Sequence, residues 1–463
     1  MPNKILPVAF VERIKKQRPD AEDFLKAIGG EPWLSVRLNP LKKVDIDGLL
    51  ATDGEVAWCA DGRYLTDRPV FTLMPEFHAG AFYVQEASSM SLSVALEVVL
   101  PQLPVHPVCL DLCAAPGGKT TLLLSRVGER GVVVANEVVR QRAWILRENI
   151  AKWGNPSAIV TNKTAEQIAA SGVTFDLITV DAPCSGEGMF RKDQTAVDEW
   201  SPKAAEDCAA RQREILESVW PALKTGGYMV YSTCTYNPDE NERNIEWLAS
   251  GFGAEVVSLP MPDGHGIETL HTVAGDAYAF YPNKVKGEGL FICLLKKTEA
   301  SAPVESCKKK KKGCREALSL KEMKIGCEYV EGVKTYQKGD EIVGFPTALA
   351  PMMVTITEAL DPLWAGVAIG NVLKKRDMSV FTPAAELPLS VAFKQGAMVE
   401  LALTKEQALK YLHGDADLQI PEGVEDGWCV VSYGGLRLGL VKKIGARLNK
   451  YYPKEWRIKM NVG

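Results

Sequence analysis

Between residues 105 and 298 the chain alternates short apolar runs with segments of helical spacing. "VCLDLCA" (108–114), "GVVVANEV" (131–138), "SAIVTNK" (157–163), "FDLITVDA" (175–182) and "GGYMVYSTC" (226–234) read as buried strands. Between them, "GGKTTLLLSRVG", "VRQRAWILRENIAKWG" and "SPKAAEDCAARQREILESVWPALKTGG" carry helical periodicity and close on glycine. "GEGLFICLLKK" (287–297) predicts a last strand. Strands alternating with helices predict an α/β fold built on a doubly wound sheet. Upstream, residues 1–70 predict short helices and then a basic strand, "WLSVRLNPLKK". Downstream, "TEASAPVESCKKKKKGCREA" lacks apolar periodicity and predicts a flexible linker, followed by a smaller α+β region. A break around Pro383–Pro388 divides that region. The expected units are an extension (1–70), the α/β domain (71–298), a Lys-rich linker (299–318), an intermediate domain (319–385) and a terminal module (386–463).

A length of 463 residues suits several domains, and 46% hydrophobic with 24% charged residues is ordinary for globular protein. The formal charge of −4 argues neither for nor against a nucleic-acid partner, so local patches must decide. One patch stands out. The last 30 residues hold Arg437, Lys442, Lys443, Arg447, Lys450, Lys454, Arg457 and Lys459 against one acid, Glu455. Tyr451, Tyr452 and Trp456 interleave with them, as in surfaces that stack bases or grip a phosphate backbone. Arg37, Lys42 and Lys43 form a weaker basic feature near the N-terminus, and Lys308–Lys312 a run in the linker. No apolar run is long enough for a membrane helix, and charge interrupts the N-terminal stretch, which excludes a signal peptide. The 11 cysteines are scattered without a CxxC pair, which fits a reducing cytoplasm. Cys307, Cys314 and Cys327 match no common zinc spacing and have no nearby His, so no metal is expected. Nothing suggests an obligate partner, and a monomer is expected.

The stretch "DLCAAPGGKT" ends like a phosphate-binding loop, but Cys113 occupies the first glycine position and Pro116 removes a backbone N–H that phosphates need. The alternative is a turn at the carboxyl end of the first strand, where α/β sheets bind ligands. Gly117 and Gly118 permit close approach of an adenosine-type ligand. Glu137 ends the second strand 19 residues later, where a carboxylate accepts ribose hydroxyls, although it could instead cap the next helix. S-adenosylmethionine, with a ribose and an adenine but no pyrophosphate, fits. "DAPCSGEG" places Asp181 and Cys184 after the fourth strand, and "YSTCTYNPDENE" places Cys234 after the fifth. Adjacent strands open on one crevice, so both thiols are expected in one pocket. Methylation at C5 of a pyrimidine calls for such a pair. A thiolate adding at C6 makes C5 nucleophilic. A carboxyl such as Asp181 bonds or protonates N3, and a second thiol assists release. Lys119 supplies a field for the thiolate or holds Asp181.

At these residues the chain resembles the Sun family of RNA 5-methylcytosine methyltransferases, through "YVQEASSM", "DLCAAPGGKT", "DAPCSGEG", "STCTYNPDENE" and "KGEGLF". Its length and C-terminal half resemble the bacterial RsmF-like branch, which modifies 16S ribosomal RNA. The resemblance implies a class I, Rossmann-like methyltransferase fold for 71–298. It also implies an N-terminal RNA-binding extension and, from "GLVKKIGARLNKYYPK", a C-terminal PUA-like RNA-binding module. It implies Cys234 as the nucleophile, Cys184 in product release, and donor binding through Cys113, Ala114, Ala115, Pro116, Gly117, Gly118, Lys119, Glu137 and Asp181. Two positions depart from the family. Thr164 stands where an Asp usually approaches the adenine, and a hydroxyl bonds less strongly than a carboxylate. Asn283 stands where a His is common. The expected activity is S-adenosylmethionine-dependent methylation of cytosine C5 in 16S ribosomal RNA, free or within the small subunit, on a single-stranded or extruded base. The alternatives are the same chemistry on transfer RNA, a non-catalytic RNA-binding factor, or a nucleotide hydrolase dependent on Lys119.

Overall fold

The computed structural model describes residues 6–301, 320–375, 378–415, 418 and 422–462. Two helices open the chain, Val8–Gln17 and Ala21–Ile28. Phe10 and Ile14 on the first, and Phe24 and Ile28 on the second, stand one turn apart and are buried against Phe190, Trp200 and Tyr281. A four-stranded sheet follows, with β1 (Ser35–Leu38), β2 (Thr52–Val56), β3 (Cys59–Leu65) and β4 (Phe82–Val84) in the order β2-β3-β1-β4.

The central sheet contains β5 (Val108–Asp111), β6 (Val132–Asn136), β7 (Ala158–Thr161), β8 (Phe175–Asp181) and β9 (Leu223–Thr233). It continues with β10 (Ala254–Val257), β11 (Glu268–Thr272), β12 (Gly275–Phe280) and β13 (Leu290–Lys297). The first five run parallel in the order β7-β6-β5-β8-β9, and β13 lies antiparallel against β9. The six strands expected from sequence are all present. Their residues are buried on both faces, which is why they read as continuous apolar runs without alternation. The hairpin β11–β12 was not expected, because β11, ETLHT, is half-exposed and carries no apolar pattern. One face of the sheet packs residues of helices Leu92–Val99, Gly118–Val127 and Arg140–Trp153. The other packs Ile168, Leu216 and Ile245 from helices Ala165–Ala170, Pro202–Val219 and Glu242–Gly251. This is the doubly wound α/β fold.

Beyond the central strands come β14 (Lys321–Met323), β15 (Val333–Lys338), β16 (Glu341–Pro346), β17 (Trp364–Ala365), β18 (Val367–Lys375) and β19 (Met378–Pro383). All except β17 form one antiparallel sheet, in the order β14-β15-β16-β18-β19. β17 instead pairs with β7 and lengthens the central sheet, and Met353 and Ile356 of helix Ala350–Leu360 join the central core. The last sheet contains β20 (Val399–Ala402), β21 (Gly427–Tyr433), β22 (Leu436–Ile444) and β23 (Arg447–Tyr451). Of the expected linker, residues 302–318, including Cys307, Lys308–Lys312 and Cys314, lie outside the described residues. Among the described residues no helix is long and apolar enough to cross a membrane, and no cluster of His, Cys, Asp or Glu could hold a metal.

Candidate functional site

The strand order reverses between β5 and β8, and the crevice at that switch point is where an open α/β sheet binds its ligand. The loop leaving β5 runs over Cys113 to Gly118 and turns at once into helix Gly118–Val127. Gly117 makes the turn with φ of 120°, a left-handed conformation that any side chain would strain. Ala115 and Pro116 are joined by a cis peptide bond. The next helix holds the loop from outside. Asn149 Nδ2 donates to the Pro116 carbonyl at 2.8 Å, and Arg142 Nη2 to that of Ala115 at 2.9 Å.

Glu137 follows β6 and is 3% exposed. One carboxylate oxygen accepts the Val139 N–H at 2.9 Å, so it does restrain the start of the next helix. The other oxygen lies 3.5 Å from Arg142 Nη1. Thr164 sits at the N-cap of helix Ala165–Ala170, and its hydroxyl accepts the Gln167 N–H in a reciprocal capping box. The cap uses one lone pair of that hydroxyl, at 3.3 Å.

Asp111, which sequence reasoning left without a role, lies beneath the loop. Its Oδ2 accepts a bond from Thr120 at 2.6 Å, whereas Oδ1 is buried without a hydrogen-bond partner. Burial pushes the carboxyl up to about 6, partly opposed by the Thr120 bond. Above it, Lys119 Nζ stands 2.8 Å from Asp181 Oδ1, which also accepts the Ser232 hydroxyl at 2.9 Å. Burial pulls the Lys119 ammonium down, but the ion pair with Asp181 and the nearby Cys234 and Asp111 more than offset it, and its pKa is raised.

The two cysteines meet. Cys184 Sγ and Cys234 Sγ are 3.2 Å apart and unbridged, as expected of residues at the ends of adjacent parallel strands. The hydrogen bond with Cys234, and then burial, drive the Cys184 thiol well above its ordinary range. Either sulfur can be the donor in this contact.

Two buried carboxylates hold this pair in register, and neither was singled out from the sequence. Glu240 accepts the Ser185 N–H at 2.9 Å and an amide N–H of Gln212 at 2.9 Å. Its other oxygen accepts the Ser185 hydroxyl and, at 3.3 Å, that of Thr235. The residue after Cys184 is thereby tied to the residue after Cys234. Glu187 is fully buried and accepts from Arg13 Nη2 at 2.5 Å, Trp200 Nε1 at 3.0 Å and the Tyr236 N–H at 3.1 Å. The Gly188 N–H donates to the Cys234 carbonyl at 2.7 Å. The first helix of the chain thus braces the loop that carries the thiol. Asn283 serves the same docking, donating to Asp20 at 2.9 Å just after that helix.

The basic features resolve unevenly. Arg37 is fully buried and donates to Gln85 at 2.7 Å and to Thr121 at 2.5 Å. Lys42 donates to the carbonyls of Ala79 and Lys152, and burial pulls its amine down to about 7. Both are internal struts, and of the three N-terminal cations only Lys43 is exposed. In the C-terminal segment Tyr452 and Trp456 are buried with Tyr411, which corrects their expected part in a stacking surface. Tyr451 is half-buried against Trp428, and Arg447, Lys454 and Lys459 are exposed.

Three family models match this geometry in sequence. Residues 100–296 match 16S rRNA methyltransferase RsmB/F, residues 6–87 the N-terminal domain of 16S rRNA methyltransferase RsmF, and residues 399–458 the methyltransferase RsmF PUA domain. The chain is similar to ribosomal RNA small subunit methyltransferase F of Klebsiella pneumoniae (strain 342), 32% identical over 97% of this chain and 96% of that protein. The protein of the same name from Escherichia coli O1:K1 is 31% identical with the same coverage. Among solved structures, a methyltransferase homologue from Pyrococcus horikoshii superimposes with a TM-score of 0.53 at 29% identity, covering 62% of this chain and 94% of that one. NSun6 from the same organism shares the fold, with a TM-score of 0.54 at 20% identity, covering 64% of this chain and 99% of that one.

Proposed function

The chain belongs to the RsmF family of S-adenosylmethionine-dependent 16S rRNA methyltransferases, and from that premise we propose that it methylates C5 of a cytosine in 16S ribosomal RNA through a covalent bond from Cys234 to C6. The observation that carries the reading is the pair of thiols 3.2 Å apart in one cleft, with the Lys119–Asp181 ion pair beside them.

The donor site fits the residues present. Asp111 Oδ1 is a buried oxygen without a partner beneath a glycine turn, and Glu137 presents a carboxylate at the end of the neighbouring strand. The backbone of Cys113, Ala114, Ala115, Pro116, Gly117 and Gly118 would line the donor, Glu137 would accept its ribose hydroxyls, and Asp181 with Lys119 would close the site toward the base. When bound, S-adenosylmethionine supplies a sulfonium methyl for a carbon nucleophile to take.

The protein's own groups do the rest. Cys184 lies within hydrogen-bond reach of the Cys234 sulfur, and the Lys119 ammonium places a positive charge near it. That thiolate adds to C6, and charge flows toward N3 and C5. A proton relayed from Lys119 through Asp181 meets the charge at N3 and returns by the same route when the aromatic ring is restored. Once C5 carries its methyl group, a base takes the C5 proton, the C5–C6 double bond re-forms, and the C6–S bond breaks. Cys184 donates its S–H to the departing sulfur and stabilises it as a thiolate. Cys234→Ala is expected to abolish methylation of 16S RNA, and activity retained in that variant would overturn the mechanism. Cys184→Ala is expected to accumulate an RNA–protein adduct on a denaturing gel, and absence of the adduct would remove Cys184 from release.

A further inference from the structure

Helix Arg140–Trp153 begins beside the donor site and ends against the C-terminal region. Its first turn follows Glu137 directly, and Arg142 reaches back to Ala115. Farther along, Arg147 donates to both oxygens of Glu386 at 2.9 Å, and the carbonyl of Gly154 accepts the Val391 N–H at 3.0 Å. Fourteen residues span roughly 20 Å of helix.

The inner face of this helix is ordinary core, with Ala143, Leu146 and Ile150 buried. Its outer face is not ordinary surface. Trp144 and Ile145 are each 46% exposed, and Trp144 is one of two exposed tryptophans among the described residues. Residues 138–147, "VVRQRAWILR", contain three arginines and no acid. Arg140 and Trp144 are neighbours one turn apart. The Arg147 guanidinium lies 5.8 Å from the Trp144 ring centroid and is itself clamped by Glu386, so the ring is backed by a fixed cation. Glu148, one turn after Trp144, is paired with Lys152, Arg142 with Glu137 and Arg147 with Glu386, which leaves Arg140 as the exposed cation beside the ring. An exposed aromatic plane with an arginine one turn away suits an unpaired nucleotide, base on ring and phosphate on Arg140.

We propose that the outer face of helix Arg140–Trp153, centred on Trp144 and Arg140, is a stacking platform for an unpaired nucleotide of the RNA substrate between the C-terminal module and the methylation cleft. The proposal rests on the reading of the chain as an RNA methyltransferase. Its partner is single-stranded RNA, and a protein of the small subunit is the occupant it excludes.

The test uses the full chain, a fluorescein-labelled oligouridylate and fluorescence anisotropy. Trp144→Ala is expected to weaken binding about tenfold, and Trp144→Phe to retain most of the affinity, since an aromatic face is what stacks on the base. Arg140→Gln is expected to weaken binding and to lower the slope of log affinity against log salt by about one. Trp144 lies on an exposed helix surface and alanine is the best helix former, so the variant folds, which circular dichroism verifies. S-adenosylmethionine affinity by calorimetry is expected to be unchanged, whereas loss of donor binding in the unaltered chain would defeat the enzyme reading instead. Wild-type oligouridylate affinity in Trp144→Ala overturns the proposal. Intact oligouridylate affinity with lost methylation of assembled small subunits also overturns it, and assigns the face to a protein contact.

Discussion

That Asp181, Cys184 and Cys234 share one crevice was legible from the sequence, because Asp181 closes one buried strand, Cys184 follows it by three residues, Cys234 directly follows the next strand, and strand ends in this topology converge. Glu240 and Glu187 were present in the same quoted stretches but silent. A carboxylate declares its role through partners, and those partners, Ser185, Gln212, Arg13 and Trp200, come together only in the fold. Glu240→Gln keeps the shape but turns an oxygen that accepts bonds into an N–H2 facing donors. The expected result is a fall in kcat of about 10²-fold with KM for the donor unchanged, because small misplacements of reacting groups cost that much. Steady-state kinetics with saturating RNA checks it. His78 offers a separate test at this scale. Burial lowers its imidazole to about 4, and Nε2 faces the Thr72 carbonyl at 2.9 Å. The depressed pKa means that the folded state resists the proton that the unfolded chain accepts near 6.5. Its contribution to stability is therefore complete above that pH and is lost as pH falls toward 4, roughly 2 kcal/mol by pH 5. His78→Gln should flatten the difference in denaturation free energy between pH 7 and pH 5, and an unchanged difference would exclude His78 as its source.

Elements carried as much of the site as single residues did. The alternation of apolar runs and helical spacing located β5 to β9 and β13 because two-sided burial leaves no polar position in the strands. It could not locate the hairpin β11–β12, whose half-exposed residues follow no period, nor the return of β17 to the edge of the central sheet, a two-residue strand set by tertiary packing alone. The first helix illustrates the same limit. Its spacing shows an apolar face, but nothing in it shows that Arg13 on the flank enters the site and meets a fully buried Glu187. Removing that arginine leaves an uncompensated buried charge. Arg13→Ala is expected to cost about 3–5 kcal/mol by chemical denaturation. The double variant with Glu187→Gln should recover part of this loss, since the stranded charge is then gone. Equal losses in the single and double variants would show that the pair is not coupled.

At the scale of the whole molecule, a chain of net charge −4 must bind a polyanion, which it can do only by segregating its charge. The sequence located the basic C-terminal segment correctly but not which of its residues face outward. Tyr452 and Trp456 went to the core beneath β22, because a small four-stranded sheet needs large side chains to close its inner face. Lys443 is engaged by Asp426 at 2.8 Å and Arg437 lies over Phe393, so neither is a free cation for RNA. Lys442, which lies over Trp428, Lys450 and Arg457 are half-buried, and Arg447, Lys454 and Lys459 are fully exposed. If these three grip phosphates, replacing them together by glutamine should weaken RNA binding uniformly across sequences, because phosphate contacts position without reading bases. Each lost contact removes about 0.7–0.9 from the slope of log affinity against log salt, so the triple variant should lose about two or more. The donor site lies on another sheet, so S-adenosylmethionine affinity should not move. A salt slope identical to that of the unaltered chain would place the phosphate grip elsewhere. The slope decides here rather than the bare affinity, because lost packing weakens binding at every salt concentration alike, whereas a lost ionic contact changes how steeply salt competes.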